Sequence, residues 1–244
     1  TRLVALAALL AAPLGLLAIS STSTTAAPAI ERIVTLGDSY SAGTGIHRDA
    51  SDYDDHGPRA QTFAPSTRIG NSDCSRELDE TPGPQLAARL GAESVFVACA
   101  GAVIADIANQ IDAARIPDDG AGTVVTMTIG GNDLQTVRGE NWPETLVRCI
   151  TSAGCDSSTK NQIANLEQMR ADLTAVYTTI GAQYPDISVR VLGYPRLMQS
   201  DRWCEGVTGF SRGEADWVDA QVDRLNEVIA SAVRSASSVT GADM

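Results

Sequence analysis

Basic residues are scarce in this chain: 18 Lys and Arg stand against 30 Asp and Glu in 244 residues, for a net charge of −12. Lys160 is the only lysine. Sequence-independent nucleic-acid binding relies on basic surface to neutralise phosphates, so the balance argues against that partner class. Nucleotide-binding loops are also lacking. The stretch Gly37 to Gly45 does not carry Gly-x-Gly-x-x-Gly, and no Gly-Lys-Ser/Thr follows for a P-loop. Histidine is nearly absent, with His47 and His56 the only 2. No internal repeat and no linker divides the chain. With 43% hydrophobic residues, its length predicts one domain with a full core.

One long apolar run is present, Leu3 to Ile19, directly after Arg2. Ser- and Thr-rich residues follow, then Ala26-Ala27-Pro28-Ala29. A basic start, an apolar middle and small residues at a cleavage point are the layout of a secretory signal. Residues 1–29 are therefore read as a signal peptide and 30–244 as the domain. A retained membrane anchor is the rival reading, but no basic stop-transfer cluster follows the run. The expectation is a secreted, extracellular monomer with no stable membrane span after signal removal. Its acidity suits solubility outside the cell. The first residue is Thr1 rather than Met, so the start is expected to be incomplete.

Five cysteines in a secreted chain should mostly pair. A Cys74–Cys99 bond would tie the segment after the first strand to the end of the second. A Cys149–Cys155 bond would close a short surface loop. Cys204 is then left either as a free thiol or with a partner beyond Met244.

Strand and helix patterns alternate. Ile33–Leu36, Ser94–Ala98, Thr123–Ile129 and Ile187–Leu192 are short apolar or β-branched runs. Helical patterns cover Pro84–Leu90, Ile104–Ala114, Asn161–Tyr184 and Arg212–Val233. On the third, Ile163, Leu166, Met169, Leu173, Val176 and Ile180 recur at helical spacing. Such alternation implies an α/β fold with a parallel sheet and helices on both faces. Residues 47–71 are polar and irregular and read as a long loop. The pattern expects one more strand after the last helix.

The chemistry gathers at strand ends, where open α/β sheets bind ligands. Gly37-Asp38-Ser39 follows the first strand, and Gly37 permits a tight turn that presents Ser39. A serine hydroxyl there is a candidate nucleophile that needs a base. Gly101 follows the second strand and offers an unobstructed backbone N–H. Gly130-Gly131-Asn132-Asp133 follows the third, where Asn132 can aim an amide N–H into the same crevice. A nucleophile, a backbone donor and an amide donor suit a tetrahedral oxyanion formed in acyl transfer.

In these residues the chain resembles the SGNH or GDSL-type hydrolases. Gly-Asp-Ser at the first strand, a lone glycine at the second and Gly-x-Asn-Asp at the third match in order and spacing from Ile33 to about Leu197. The expected disulfides and the Ala/Arg-rich composition look like the secreted actinomycete-like lipases and esterases of that group. The resemblance implies a flavodoxin-like three-layer α/β/α sandwich and a cofactor-free, metal-free hydrolase of ester or lipid substrates. It implies Ser39 as nucleophile, with Ser39, Gly101 and Asn132 as oxyanion donors; Asp38 and Asp133, their chain neighbours, are read as supporting residues that hold the turns. Phospholipase and acetyl-carbohydrate esterase activities fit the same motifs.

The family sets its catalytic His near the carboxyl terminus, beyond the last strand. Here no His follows His56, and Asp216 and Asp219 fall within a helical pattern. One cause accounts for three gaps: the general base, the last strand and the partner of Cys204 are expected in sequence not present in this chain. His47 and His56 read as loop residues, since His47 lies past the first turns of the helix that Ser39 begins. A non-catalytic ligand-binding protein on the same fold is the alternative of another class. The acidic run 49–56 has calcium-like spacing from Asp52, but Phe63 falls where a bidentate Glu belongs, so a solvated loop is expected. Trp142, Tyr194 and Trp203 are candidates for an acyl pocket, with core packing as the plainer role.

Overall fold

The computed structural model describes residues 29–44, 76, 81–152, 154–198 and 211–244, with the backbone of 53–54 and 57–58. The elements begin with β1 (Arg32–Gly37), β2 (Tyr53–Asp54), β3 (Gly57–Pro58), α1 (Pro82–Leu90) and β4 (Glu93–Phe96). They continue with α2 (Ile107–Ala114), β5 (Thr123–Thr128), α3 (Trp142–Thr151), α4 (Leu166–Gln183), β6 (Ser188–Val191) and α5 (Arg212–Thr240). Short 3₁₀ turns occupy Ile104–Asp106, Gly131–Asp133 and Thr159–Asn161. Residues 1–28 of the expected signal segment, His47, His56, Cys74, Trp203 and Cys204 lie outside the described residues. So do the side chains of the acidic run 49–56.

β4, β1, β5 and β6 form one sheet in that order, every pair parallel. Parallel neighbours need crossover connections, and α1, α2 and α4 lie in those between β1 and β4, β4 and β5, and β5 and β6. β2 and β3 make a separate two-stranded ladder. Register sets the two faces apart. Val34, Val125 and Val189 align on one face, with Leu36, Met127 and Val191 one step along. This face joins buried residues of α2, α4 and α5 in one continuous core. Thr35, Thr126 and Arg190 align on the opposite face, beside α1. Gly83 lets α1 settle there: a Cβ at that position would stand 1.9 Å from the Thr35 hydroxyl oxygen. Helices on both sides of a parallel sheet make this the α/β architecture anticipated from the alternating pattern.

The boundaries differ from the sequence expectation in instructive places. α4 starts at Leu166, later than Asn161, because Ile163 instead bridges Thr136. Asn165 is likewise diverted, its side chain donating to Asp133 O at 2.7 Å and accepting from Gln135 N at 2.9 Å. α3 is an additional helix, opened by an Asn141–Glu144 capping box with Pro143 in its first turn. Cys149 sits near the end of this helix, and its bond to Cys155 closes a short segment whose described residues between them are exposed, while the two cysteines themselves are buried with Cα atoms 5.2 Å apart. Glu214 clamps that disulfide turn to the start of α5, accepting from Gly154 N at 2.6 Å and Cys155 N at 3.1 Å while also capping with Ser211. Cys99 is disulfide-bonded as well.

α5 runs to Thr240, past the expected Val233, and ends on Gly241 in the left-handed conformation. The chain then turns back along β6. Asp243 forms a parallel bridge with Ser188, and Val189 N donates to Asp243 O at 2.7 Å.

Candidate active site

All four sheet strands end at the same edge, so the segments that follow Gly37, Phe96, Thr128 and Val191 emerge together. Gly37 makes the first of these turns possible. Its φ is +116°, and a Cβ would lie 2.2 Å from Thr128 O. Buried Gln110, from α2, grips the same residue on both sides, accepting from Gly37 N at 2.6 Å and donating to Gly37 O at 2.9 Å. Beyond it Asp38 O accepts from Ala42 N at 2.8 Å and Ser39 O from Thr44 N at 3.0 Å, which holds residues 38–44 in hydrogen-bonded turns rather than the helix expected from the sequence. Ser39 stands half-buried on the first of them.

Asp38 is the buried anchor of this turn, 1% exposed. One carboxylate oxygen accepts from Tyr40 N at 3.0 Å and from the Thr128 hydroxyl at 3.1 Å. The other accepts the Tyr194 phenol. Thr128 is itself held by Ser41, whose hydroxyl lies 2.8 Å from the Thr128 hydroxyl and accepts from Thr128 N at 2.7 Å. Burial raises the Asp38 pKa, and the hydrogen bond from Tyr194, then those from Tyr40 and Thr128, work against that rise. Burial also lifts the Tyr194 phenol far above its usual range, reinforced by the Asp38 charge, so it remains a donor.

The two proposed oxyanion turns come close to one another. Asn132 donates its side-chain amide to Ala102 O at 2.9 Å, next to Gly101. That bond uses one of two amide hydrogens and fixes the plane of the other. Gly101 adopts φ +81° and is exposed, and a Cβ there would meet nothing within 4 Å. Its need for glycine is conformational rather than steric. Among the described residues, neither Ser39 N nor Gly101 N has a hydrogen-bond partner. Asp133 braces the same region from below, both carboxylate oxygens receiving Ile104 N at 3.0–3.1 Å. Burial is the main cause lifting its pKa to about 6, opposed by the Ile104 N–H and aided by the negative charges of Asp38, Asp106 and Asp172.

The family model of the GDSL-like Lipase/Acylhydrolase family matches residues 35–244. The chain belongs to that family. This GDSL chain is 29% identical over 201 residues to "Lipase" of Streptomyces rimosus, covering 81% of the chain and 64% of that protein. It is 29% identical over 218 residues to "Lipase 1" of Streptomyces coelicolor, covering 86% and 69%. The chain thus spans about two-thirds of the length of these curated relatives. Among solved structures, the phospholipase A1 of Streptomyces albidoflavus NA297 superposes with a TM-score of 0.60 at 29% identity, covering 88% of this chain and 78% of that one. The extracellular lipase of Streptomyces rimosus gives 0.61 at 28%, covering 87% and 78%.

Motif reading singled out Ser39, Gly101, Asn132, Asp38 and Asp133, but not the side chains that hold them. Gln110 and Thr128 were missed, and Tyr194 was noted only as a possible pocket residue. Its position one residue after a strand-end glycine, Gly193, was the available signal. Trp142 is buried and packs on Trp217 at a ring separation of 6.3 Å, a core role.

Proposed function

We propose that this protein is a secreted serine esterase or lipase that hydrolyses carboxylic esters through an acyl-enzyme on Ser39. The observation that carries the reading is the gathering of three strand-end turns at one sheet edge: among the described residues the N–H groups of Ser39 and Gly101 have no hydrogen-bond partner, and the Asn132 amide is held next to Gly101 through Ala102 O. Such donors, fixed before reaction, stabilise negative charge where it develops. The Ser39 oxygen bonds to the ester carbonyl carbon as its proton passes to a base, and the carbonyl oxygen becomes the oxyanion. Collapse of that intermediate breaks the ester C–O bond, and the alcohol leaves with the proton. Water repeats the attack, releases the acid and returns the hydroxyl to Ser39. We assign the base to a histidine outside these 244 residues, as the family pattern implies.

The names of the relatives, lipase and phospholipase A1, favour lipid esters as substrates. Phospholipase action is the second reading, favoured by the albidoflavus neighbour. Secretion is supported by the Cys149–Cys155 bond, since such bonds persist in oxidising compartments, and by a neighbour described as extracellular. The test uses the protein expressed from its complete gene. Ser39→Ala should reduce turnover of a p-nitrophenyl ester on the order of 10⁴-fold or more. Turnover within tenfold of wild type would remove Ser39 from the reaction.

A further inference from the structure

The turn that carries Ser39 and the turn that carries Asn132 come from different strands, and one side-chain oxygen joins them. The Tyr194 phenol donates to Asp38, the residue before Ser39, and accepts from Gly131 N, the residue before Asn132, at 2.8 Å. The fit around it is close. A Cβ on Gly131 would lie 3.2 Å from three atoms of the Tyr194 ring and hydroxyl, and the Tyr40 ring meets the Tyr194 ring edge-on at 5.0 Å. Tyr194 is itself held from α5. The Asn226 amide accepts from Tyr194 N at 2.8 Å and donates to Tyr194 O at 2.8 Å. That grip needs Gly193, where a Cβ would stand 2.8 Å from the Asn226 amide oxygen.

Resting on the hydrolase reading above, we infer that Tyr194 is a positioning residue that sets the spacing between the nucleophile and the Asn132 oxyanion donor. Asn226 in turn fixes Tyr194. A peptide N–H and a carboxylate on opposite turns both point at one phenol, so moving that oxygen moves the two turns relative to each other. Misplacement on the order of 1 Å can cost a reaction about a hundredfold while binding is barely altered. Its loss should therefore appear in kcat and leave KM in place. A merely structural tyrosine would lower thermal stability and leave kcat per folded molecule unchanged.

The experiment compares Tyr194→Phe, Asn226→Ala, the double variant and Ser39→Ala in the complete protein, with folding checked by circular dichroism. Tyr194→Phe keeps the ring and should lower kcat about 10- to 100-fold with KM within about twofold. Asn226→Ala should lower kcat about 3- to 10-fold, and the double variant should match Tyr194→Phe alone because both act through one oxygen. A folded Tyr194→Phe enzyme with kcat within about threefold of wild type overturns the inference, as does a double loss equal to the product of the single losses. Should Tyr194→Phe not fold, Asn226→Ala decides by the same measure: a fall in kcat at constant KM supports positioning, and an unchanged kcat overturns it. If Ser39→Ala retains turnover, the hydrolase reading fails and the positioning inference falls with it. A dead Ser39→Ala beside an unimpaired Tyr194→Phe removes the positioning inference alone.

Discussion

Gly37→Ala asks whether the turn that presents Ser39 depends on a missing side chain. Two costs are visible. Gly37 has φ +116°, a conformation that costs an L-residue roughly 1–3 kcal/mol. The new Cβ would also lie 2.2 Å from Thr128 O, where ordinary contact begins at 3.4 Å. Because that oxygen belongs to the neighbouring strand, relief requires β1 and β5 to part at this rung. Parting weakens the Asp38 N–H bond to Thr128 O, now 2.9 Å, and the paired bonds between Gly37 and Gln110. Each lost hydrogen bond is worth about 1 kcal/mol net. Together the strain and three such bonds give about 4–6 kcal/mol, a large share of the roughly 5–15 kcal/mol that holds an ordinary domain folded. Urea unfolding followed by circular dichroism should show a midpoint lower by about 1–2 M. Gly101→Ala is the control. Its φ is also positive but a Cβ there meets nothing within 4 Å, so backbone strain alone should cost about 1–2 kcal/mol. If Gly37→Ala unfolds no more easily than Gly101→Ala, the steric half of the reasoning is wrong.

Asn132→Ala in the complete protein should reduce kcat on the order of 10²- to 10³-fold with little change in KM, as removal of an oxyanion donor does elsewhere; an unchanged kcat takes Asn132 out of the mechanism. Asp133 supplies a pH test. Burial holds its pKa near 6 against an ordinary 3.8, so between those values the folded state keeps a proton that the unfolded chain has lost. Stability from this group is therefore full at acid pH and declines as pH climbs through the folded pKa. Asp133→Asn should gain stability relative to wild type as pH is raised from about 4 to 7, read as the difference in melting temperature. A difference that does not vary with pH would contradict the assignment.

The sheet and the strand-end motifs were legible in the sequence because their signals are local. Four short β-branched runs mark the strands, and each chemical motif sits within a few residues of a strand end beside a glycine. The supporting network was not legible, for a physical reason. Tyr194 meets Asp38 from 156 residues away and Gly131 from 63, and Gln110 reaches Gly37 across 73, so no spacing along the chain announces these contacts. α3 was missed although Asn141-x-x-Glu144 with Pro143 is a local start signal. It is a ten-residue helix whose buried side is only Trp142, Thr145 and Cys149, a weak stripe. α4 starts late because Ile163 bridges Thr136 and Asn165 holds the Asp133 turn, tertiary bonds that outcompete helix continuation.

The most direct measurement is covalent capture of the nucleophile. Treat the complete protein with a fluorophosphonate, digest it, and locate the adduct by mass spectrometry. The phosphonyl group should be found on Ser39, with labelling lost in Ser39→Ala and slowed in Asn132→Ala. An adduct on another residue, or labelling undiminished in Ser39→Ala, would contradict the assignment of this strand-end serine as the attacking group.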